Sequence, residues 1–239
     1  MSLSNHVAII SGVSKGIGNE MAKQLLAKGC IVLGLGRNQP NITNSKFHFE
    51  KADIRNHLEV ENACNRLFKK VDFQVDFLVN NSGLGIFSSL ENYTIEQWHE
   101  MFDVNVHGMF YLSKMVLPLM KKQERGHIIN ISSIAGLEGY AQSSGYNATK
   151  FAVRGLSKAL YKEVRDFGIK VTCVYPGSVK TNFFDEVESI QAHDNMLMPS
   201  ELVESIIQLM ETNFNFHPVN FEVRPLQPRG KIKKNKESE

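Results

Sequence analysis

The chain has 239 residues, of which 42% are hydrophobic and 22% are charged, and these proportions exclude a largely disordered protein. The length suits one α/β domain that buries a substantial core. A formal net charge of +2 provides no global field that would attract nucleic acid or a membrane surface. The basic run from Arg229 to Lys236 is expected to be a solvated tail.

Cysteine and histidine usage gives no sign of a metal site. Cys30, Cys64 and Cys173 are far apart and form no C-x-x-C pair, and the histidines show no H-E-x-x-H spacing. The N-terminal residues contain no long apolar run behind a basic region, and no segment approaches the ~20 apolar residues of a membrane span. We therefore expect no signal peptide, no bound metal and a reducing, cytoplasmic location.

Short apolar runs alternate with longer amphipathic segments along the chain. The apolar runs are typical of buried parallel strands and cover 6–11, 30–35, 77–80, 127–132 and 170–175. Helical periodicity covers 19–28, 58–70, 95–122, 148–167 and 200–212, and Pro118 is expected to kink the third of these helices.

Repeated alternation of strand and helix predicts the fold class. It indicates right-handed crossovers and an α/β fold with a single Rossmann-type, doubly wound parallel sheet of about seven strands and helices on both faces. No break in composition separates a second domain, so 1–239 is expected to form one domain. Flexible tails are expected at 1–5 and about 228–239.

A glycine-rich turn follows the first predicted strand, in the sequence S-G-V-S-K-G-I-G from Ser11 to Gly18. Glycine permits positive φ and lets backbone approach a pyrophosphate, while the following helix presents unpaired N–H groups and a positive dipole end. This position, after a strand and before a helix, predicts a dinucleotide site. The predicted contacts are Gly12, Ser14, Lys15, Gly16, Ile17 and Gly18.

The end of the second predicted strand distinguishes between two cofactors. An NAD site carries a carboxylate there, which binds the ribose 2′-hydroxyl, but this strand ends in Leu-Gly-Arg-Asn. Arg37 and Lys15 would instead neutralise a 2′-phosphate, so NADP(H) is predicted over NAD(H). The alternative is that both residues are ordinary surface charges.

A phenol and an ammonium lie one helical turn apart, at Tyr146 and Lys150. A neighbouring cation lowers the pKa of a tyrosine from ~10, as proton transfer at neutral pH requires. The pair alone is a weak motif, but Ser132 and Ser133 end a buried strand at the sheet edge where ligands bind. Ser133 can donate a hydrogen bond to a carbonyl oxygen that gains negative charge.

Together these residues resemble the compact, one-domain, NADP-preferring branch of the short-chain dehydrogenase/reductase family, over about 6–226. The glycine motif of the family matches residues 11–18 with Ser11 in place of threonine, and its N-N-A-G motif matches residues 80–83 with Ser82 in place of alanine. The remaining motif positions fall on Asp53 with Ile54, Asn105, Ser133, Tyr146 with Lys150, and the segment Pro176–Thr181.

The resemblance implies hydride transfer between NADP(H) and a carbonyl or secondary alcohol. Tyr146 would donate the proton, Ser133 would position the oxygen, and Lys150 would lower the pKa of Tyr146 and hold the nicotinamide ribose. Asn105 would support a water relay from Lys150 to solvent. The further cofactor contacts that the resemblance implies are Asp53, Ile54, Asn80, Ser82, Gly83, Tyr146, Lys150, Pro176, Gly177, Val179 and Thr181.

The substrate side is less specific in sequence. Residues 182–198 combine aromatic residues and methionines without clear capping, and we interpret them as a substrate lid, with an amphipathic helix as the alternative. The candidate pocket residues are Ala135, Gly136, Tyr140, Gln142, Phe183, Phe184 and Met196–Met198. Their apolar character favours a small or hydrophobic carbonyl, although core packing explains aromatic residues and methionines equally well.

Three alternatives remain open at this stage. One is an NADP-dependent dehydrogenase of a hydroxy acid, amino acid or sterol alcohol, and another is a 3-ketoacyl-thioester reductase. The third is a non-catalytic NADP(H)-binding sensor or scaffold, which would need none of Asn105, Ser133, Tyr146 and Lys150. The resemblance also implies a homodimer or homotetramer paired through the helices around 95–122 and 148–167, although Arg224-Pro225 replaces the glycine-rich end that packs in tetramers.

Overall fold

A computed structural model describes residues 2–181, 183 and 195–227 of the chain. In this part of the chain, seven parallel strands form one sheet in the order β3-β2-β1-β4-β5-β6-β7. The strands are β1 (Val7–Ser11), β2 (Ile31–Gly36), β3 (Phe47–Lys51), β4 (Phe77–Asn80), β5 (Gly126–Ile131), β6 (Ile169–Pro176) and β7 (Asn220–Val223). The predicted doubly wound parallel sheet is confirmed.

Six α-helices of the described residues cover the two faces of this sheet. They are α1 (Gly16–Ala27), α2 (His57–Lys69), α3 (Ile95–Phe102), α4 (Gly108–Gln123), α5 (Ser144–Val164) and α6 (Pro199–Met210). One core cluster joins α1 and α6 to the sheet, and a second joins α2, α4 and α5 to its other face. Covering both faces explains why the central strands are almost continuously apolar.

The predicted helix at 95–122 is in fact two helices, α3 and α4, separated by the π-helical turn Asp103–His107. Helix α4 continues through Pro118 to Gln123, and the kink or strain expected at Pro118 stays a prediction. A π-helical turn adds a residue to the helical repeat and often occurs at functional sites. Here it contains the buried Asn105.

Parts of the predicted tails and lid have different outcomes. Within the expected N-terminal tail, Leu3 is only 2% exposed and the Asn5 N–H donates to the Gly29 carbonyl, whereas Ser2, Ser4 and Asn5 are exposed. Leu197 makes backbone hydrogen bonds to Ser178 and Lys180. The expected tail at 228–239, and the expected lid apart from 183 and 195–198, lie outside the described residues. No helix in the described part is long and apolar enough to cross a membrane.

Candidate active site

A cavity of about 720 Å³ opens at the carboxyl ends of the parallel strands. It includes the crevice between β1 and β4, where the strand order reverses and where open α/β sheets bind ligands. Most of the predicted site residues meet on its wall. These are Gly12, Ser14, Lys15, Gly16, Ile17, Arg37, Asp53, Ile54, Ser82, Gly83, Ser133, Tyr146, Lys150, Pro176, Gly177, Val179 and Thr181.

Three predicted site residues, Gly18, Asn80 and Asn105, are not on the cavity wall and support it from behind. The Asn80 side chain is buried in the core, where its Nδ2 donates to Ser113 Oγ at 3.0 Å and to Asn130 Oδ1 at 2.8 Å. The Asn80 side chain therefore joins β4 to β5 and α4, and the cofactor contact that the resemblance implies for Asn80 stays a prediction.

The glycine turn has the backbone geometry that its sequence predicts. Gly12 and Gly16 have φ values of +73° and +61°, in the region that favours glycine. A Cβ at Gly18 would lie 2.4 Å from the Gly12 carbonyl oxygen, so the start of α1 packs directly on the turn. The turn leaves no space for side chains at these contacts, and its backbone borders the cavity.

Ser11 and Asn81 join this turn to the loop after β4. Ser11 Oγ accepts hydrogen bonds from the backbone N–H groups of Asn81 and Ser82, each at 3.0 Å. Asn81 Nδ2 donates to the carbonyl oxygens of Ser11 and Gly12 at 3.0 and 3.2 Å. The serine that replaces threonine in the motif thus provides the bridging hydroxyl. Asn81 belongs to the motif matched at 80–83 but is not among the predicted cofactor contacts.

The uncapped start of α1 fits a phosphate group. Its N-cap residue, Lys15, makes no side-chain capping hydrogen bond, and Gly16 and Ile17 of the first turn line the cavity. Unpaired N–H groups and the positive end of the helix dipole favour an anion at this position.

Two cations lie on the cavity wall where β2 ends. Lys15 and Arg37 are exposed on the cavity wall, and neither forms a salt bridge with a described residue. The Ser14 hydroxyl donates to the Asn38 carbonyl and so joins the glycine turn to the residues after β2. This end of the cavity therefore has the charge to bind a phosphate monoester.

Asp53 lines the cavity beyond β3, but its carboxylate is held by an arginine that the sequence patterns did not indicate. Arg55 Nη2 lies 2.7 Å from Asp53 Oδ2, and Arg55 Nη1 lies 2.9 Å from Glu100 Oε1. The hydrogen bonds from Arg55 lower the pKa of Asp53 below its ordinary value. The three side chains form a charged network on the cavity wall.

The loop after β6 also lines the cavity, through Gly177, Ser178, Val179 and Thr181. The Gly177 N–H donates to the Val223 carbonyl at 2.7 Å, and Val179 pairs with Leu197 in an isolated parallel bridge. A Cβ on Gly16 would lie 3.6 Å from the Thr181 side chain, so this loop lies against the glycine turn.

Tyr146, Lys150 and Ser133 meet at the other end of the cavity. Helix α5 begins at Ser144, which places Tyr146 in its first turn and Lys150 one turn later, and both side chains are buried. Ser133 accepts from the Ala135 N–H at 3.1 Å and also hydrogen-bonds to the Tyr146 phenol. Lys150 Nζ donates to the Ile131 carbonyl at 3.1 Å and lies 5.6 Å from the centroid of the Tyr146 ring.

Burial determines the protonation of this group. It raises the pKa of Tyr146 to about 12, and the hydrogen bond with Ser133 opposes a part of that rise. Burial also lowers the pKa of Lys150 to about 8. At neutral pH the phenol is therefore protonated and the lysine is mostly charged. The lowering expected from Lys150 together with a bound cofactor in a closed site stays a prediction.

Asn105 makes hydrogen bonds to two segments that border this site, the loop after β4 and helix α5. Its Oδ1 accepts from the Leu84 N–H at 2.8 Å, and its Nδ2 donates to the Leu84 carbonyl at 2.8 Å and to Thr149 Oγ1 at 2.9 Å. Thr149 in turn donates to the Tyr146 carbonyl at 2.8 Å. The π-helical turn thus joins the loop after β4 to the first turn of α5. The water relay through Asn105 stays a prediction.

The remaining wall near Tyr146 is largely apolar. Of the candidate pocket residues, Ala135, Tyr140, Gln142 and Phe183 line the cavity, together with Leu84 and Phe87, which the sequence patterns did not indicate. Gly136 instead packs against the Lys150 carbonyl, Met196 and Met198 are not on the wall, and Phe184 lies outside the described residues.

This fold and site define a class of oxidoreductase. Residues 6–192 match the family described as short chain dehydrogenase, and the chain belongs to that family. The resemblance seen in the sequence motifs is thereby confirmed.

Three similar proteins illustrate the range of the family. The chain is 30% identical over 220 residues to an uncharacterized oxidoreductase of Staphylococcus epidermidis, covering 87% of this chain and 94% of the relative. It is 39% identical over 179 residues to a 3-ketodihydrosphingosine reductase of Bacteroides thetaiotaomicron, covering 75% and 66% respectively. The closed form of a serine dehydrogenase complexed with NADP+ superposes with a TM-score of 0.83 at 26% identity, over 91% and 94% of the two chains.

Proposed function

We propose that this protein is an NADP(H)-dependent reductase that converts an apolar carbonyl compound to the alcohol. The observation that carries the proposal is the arrangement of one cavity. At one end, the protonated phenol of Tyr146 is close to Ser133 and Lys150, and at the other end Lys15 and Arg37 form no salt bridge with a described residue.

The cavity wall fits a dinucleotide with a 2′-phosphate. The start of α1 would bind the pyrophosphate, and Lys15 and Arg37 would bind the 2′-phosphate. Asp53 and Ile54 would border the adenine, whereas the segment Pro176–Thr181 would border the nicotinamide. When bound, this cofactor supplies the hydride that reduces the carbonyl carbon.

The side chains of the protein act on the carbonyl oxygen. Ser133 donates a hydrogen bond that orients the oxygen and stabilises its developing negative charge. Tyr146 then transfers its phenolic proton to that oxygen as general acid. The ammonium of Lys150 stabilises the phenolate that remains. The same ammonium would also bind the nicotinamide ribose.

The protonation states support reduction over oxidation. A phenol whose pKa is raised to about 12 holds its proton at neutral pH, so the proton that carbonyl reduction needs is present on Tyr146. Alcohol oxidation would require the phenolate, which this buried environment disfavours. The protein is therefore proposed to act mainly as a reductase.

The wall near Tyr146 supports an apolar substrate. Leu84, Phe87, Ala135, Tyr140, Gln142 and Phe183, which line that end, are all uncharged. Such a wall suits a hydrophobic substituent better than the ammonium and carboxylate groups of an amino acid. The similarity to a 3-ketodihydrosphingosine reductase supports the same direction, a ketone reduction.

A cofactor titration tests the preference for NADP(H). The wild-type protein should bind NADPH at least tenfold more tightly than NADH, as about 1.4 kcal/mol of phosphate binding would provide. Arg37→Ala should remove most of that preference, whereas Arg165→Ala, an exposed arginine of the turn after α5, should not change it. Equal affinities for the two cofactors in the wild-type protein would contradict the proposal.

NADPH consumption tests the reaction and narrows the substrate. The panel contains aldehydes, ketones, diketones and 3-ketoacyl thioesters, with NADH in place of NADPH as the control. The proposal expects NADPH-dependent turnover of apolar ketones or aldehydes. Tight NADPH binding without turnover in either direction would instead favour a sensor or scaffold.

We also propose that the chain is a single catalytic domain that pairs into a homodimer or homotetramer through α4 and α5. An apolar groove of about 480 Å³ lies between these helices, with Leu117 and Leu156 on its wall and Phe110 48% exposed beside them. Sedimentation at micromolar concentration should show a dimer or tetramer, and a strictly monomeric profile would contradict it. The three free, buried thiols support a reducing, cytoplasmic location.

A further inference from the structure

A short segment after β4, residues 84–88, contributes to the cavity wall beside the catalytic tyrosine, and we call it the β4 wall. Leu84 and Phe87 of this segment line the cavity. The Phe87 ring centroid lies 5.4 Å from that of Tyr146 and 6.4 Å from that of Phe183, with an edge-to-face orientation toward Phe183. Phe87 therefore occupies space directly beside the proton donor.

The β4 wall is fixed on both sides of Phe87 by one hydroxyl group. Tyr93 Oη donates to the Ile86 carbonyl at 2.9 Å and accepts from the Ser88 N–H at 3.3 Å. These two groups belong to the peptide units immediately before and after Phe87. The backbone dihedrals that aim the Phe87 ring are thus restrained by Tyr93.

Tyr93 also contacts the helix that carries Tyr146. A Cβ on Gly145, the residue before Tyr146, would lie 3.4 Å from Tyr93 Cζ, so the tyrosine ring packs against the first turn of α5. Tyr93 therefore contacts both the backbone around Phe87 and the helix turn that carries Tyr146.

Close packing leaves the wall little freedom to move. A Cβ on Gly85 would lie 2.6 Å from Phe183 Cζ and 2.9 Å from Phe87 Cε2, so the chain passes between two rings without space for a side chain. At the start of the segment, Asn105 holds both backbone groups of Leu84. The wall is therefore restrained by three separate sets of contacts.

We propose that Phe87 determines the size of the carbonyl substituent that fits beside Tyr146, and that Tyr93 is the positioning residue that holds Phe87 there. The inference rests on the proposed reductase function. Replacing a phenyl ring by a methyl group at a cavity wall opens space for a substituent of similar size. Removing only the Tyr93 hydroxyl frees the two peptide groups and lets the ring move away from Tyr146.

The test compares Phe87→Ala, Tyr93→Phe and the wild-type protein on two ketones, methyl phenyl ketone and diphenyl ketone. The quantity measured is the ratio of kcat/KM for the larger ketone to that for the smaller one, with NADPH saturating. Phe87→Ala should raise this ratio about tenfold or more, within the range that pocket contacts provide. Tyr93→Phe should raise it by about threefold, chiefly through a lower KM for diphenyl ketone.

Tyr111→Phe is the matched control, because Tyr111 lies on α4 beside His107 and outside the cavity wall. It should leave the ratio unchanged, and all three variants should retain the NADPH affinity of the wild-type protein. An unchanged ratio in Phe87→Ala, with turnover retained, would overturn the role of Phe87. A shifted ratio in Phe87→Ala but not in Tyr93→Phe would overturn the role of Tyr93.

Failure of the reductase proposal is distinguishable from failure of this inference. If the wild-type protein turns over neither ketone, binding of both ketones to the NADP+-loaded protein is measured by saturation-transfer NMR. The affinity for diphenyl ketone relative to methyl phenyl ketone should then rise most in Phe87→Ala, less in Tyr93→Phe and not at all in Tyr111→Phe. An affinity ratio that does not change would overturn the inference independently of turnover.

Discussion

Replacing Lys150 with methionine should stabilise the fold while abolishing turnover. Lys150 is only 4% exposed, and burial lowers the pKa of its ammonium from 10.5 to about 8. The difference between these two pKa values corresponds to about 3 kcal/mol against the charged lysine in the folded protein. Loss of its hydrogen bond to the Ile131 carbonyl offsets about 1 kcal/mol, so the variant should gain about 2 kcal/mol at pH 7.

The stability gained by Lys150→Met should decrease as pH rises. Below pH 8, Lys150 is charged in both the folded and the unfolded chain, so the full cost of burying the charge is present. Between about 8 and 10.5, the unfolded chain keeps the proton that the folded protein has lost, and wild-type stability relative to the variant rises with pH. At pH 10 the advantage of Lys150→Met should therefore have decreased by about 2 kcal/mol.

Urea denaturation at pH 7 and pH 10 measures both effects. Lys158→Met is the matched control, because Lys158 is exposed on the same helix. The control should change the free energy of unfolding by less than about 0.5 kcal/mol. A Lys150→Met variant that is less stable than the wild type at pH 7, or whose gain in stability does not vary with pH, would contradict the cost assigned to burying the Lys150 charge.

Two further predictions concern the cofactor site and the pH profile. Gly18→Ala would place a methyl group 2.4 Å from the Gly12 carbonyl oxygen and should weaken NADPH binding more than tenfold in a fluorescence titration. Gly155→Ala is the control, because a Cβ added at Gly155 would have no other atom within 4 Å. It should leave NADPH binding intact and raise the free energy of unfolding by about 0.5–1 kcal/mol. Equal NADPH affinities in the two variants would contradict a tight contact at Gly18. In stopped-flow assays of carbonyl reduction, kcat/KM should fall as pH rises above about 8, because Lys150 loses its proton, and a flat profile from pH 7 to 10 would exclude a role for its charge.

The central strands were predictable from sequence because their environment leaves a simple pattern. β1, β2, β4, β5 and β6 lie between two layers of helices, so their side chains are apolar on both faces and each predicted run falls within one residue of the observed strand. β3 was missed because it is an edge strand. Its residues Phe-His-Phe-Glu-Lys alternate in polarity and are only partly buried.

The break between α3 and α4 was not predictable, since the apolar periodicity continues across it. Local sequence placed the irregularity at Pro118, which α4 tolerates. The actual break at Asp103–His107 coincides with the hydrogen bonds of Asn105 to Leu84 and Thr149. These are tertiary contacts between distant segments, which the spacing of residues along α3 and α4 does not reveal.

In the candidate site, too, some residues were predictable from sequence motifs and others depend on tertiary contacts. Its motifs indicated the glycine turn, Ser133, Tyr146 and Lys150, because each needs a particular residue type at a particular spacing. The roles of Asn81, Arg55 and Phe87 were not predicted because their contacts depend on how loops meet, as in the hydrogen bond from Asn81 to the carbonyl of Ser11, 70 residues away. The raised pKa of Tyr146 was missed for a related reason, since burial is a property of the folded chain.

The most direct test of the central claim is NADPH oxidation by the wild-type protein and by Tyr146→Phe, each with the best ketone of the panel. The wild type should consume NADPH, and the variant should lose a factor of about 100 or more in kcat, as loss of a general acid implies. NADPH affinity should stay within about twofold, because the change removes only the phenolic hydroxyl. A Tyr146→Phe variant that keeps wild-type turnover would contradict the assignment of Tyr146 as the proton donor.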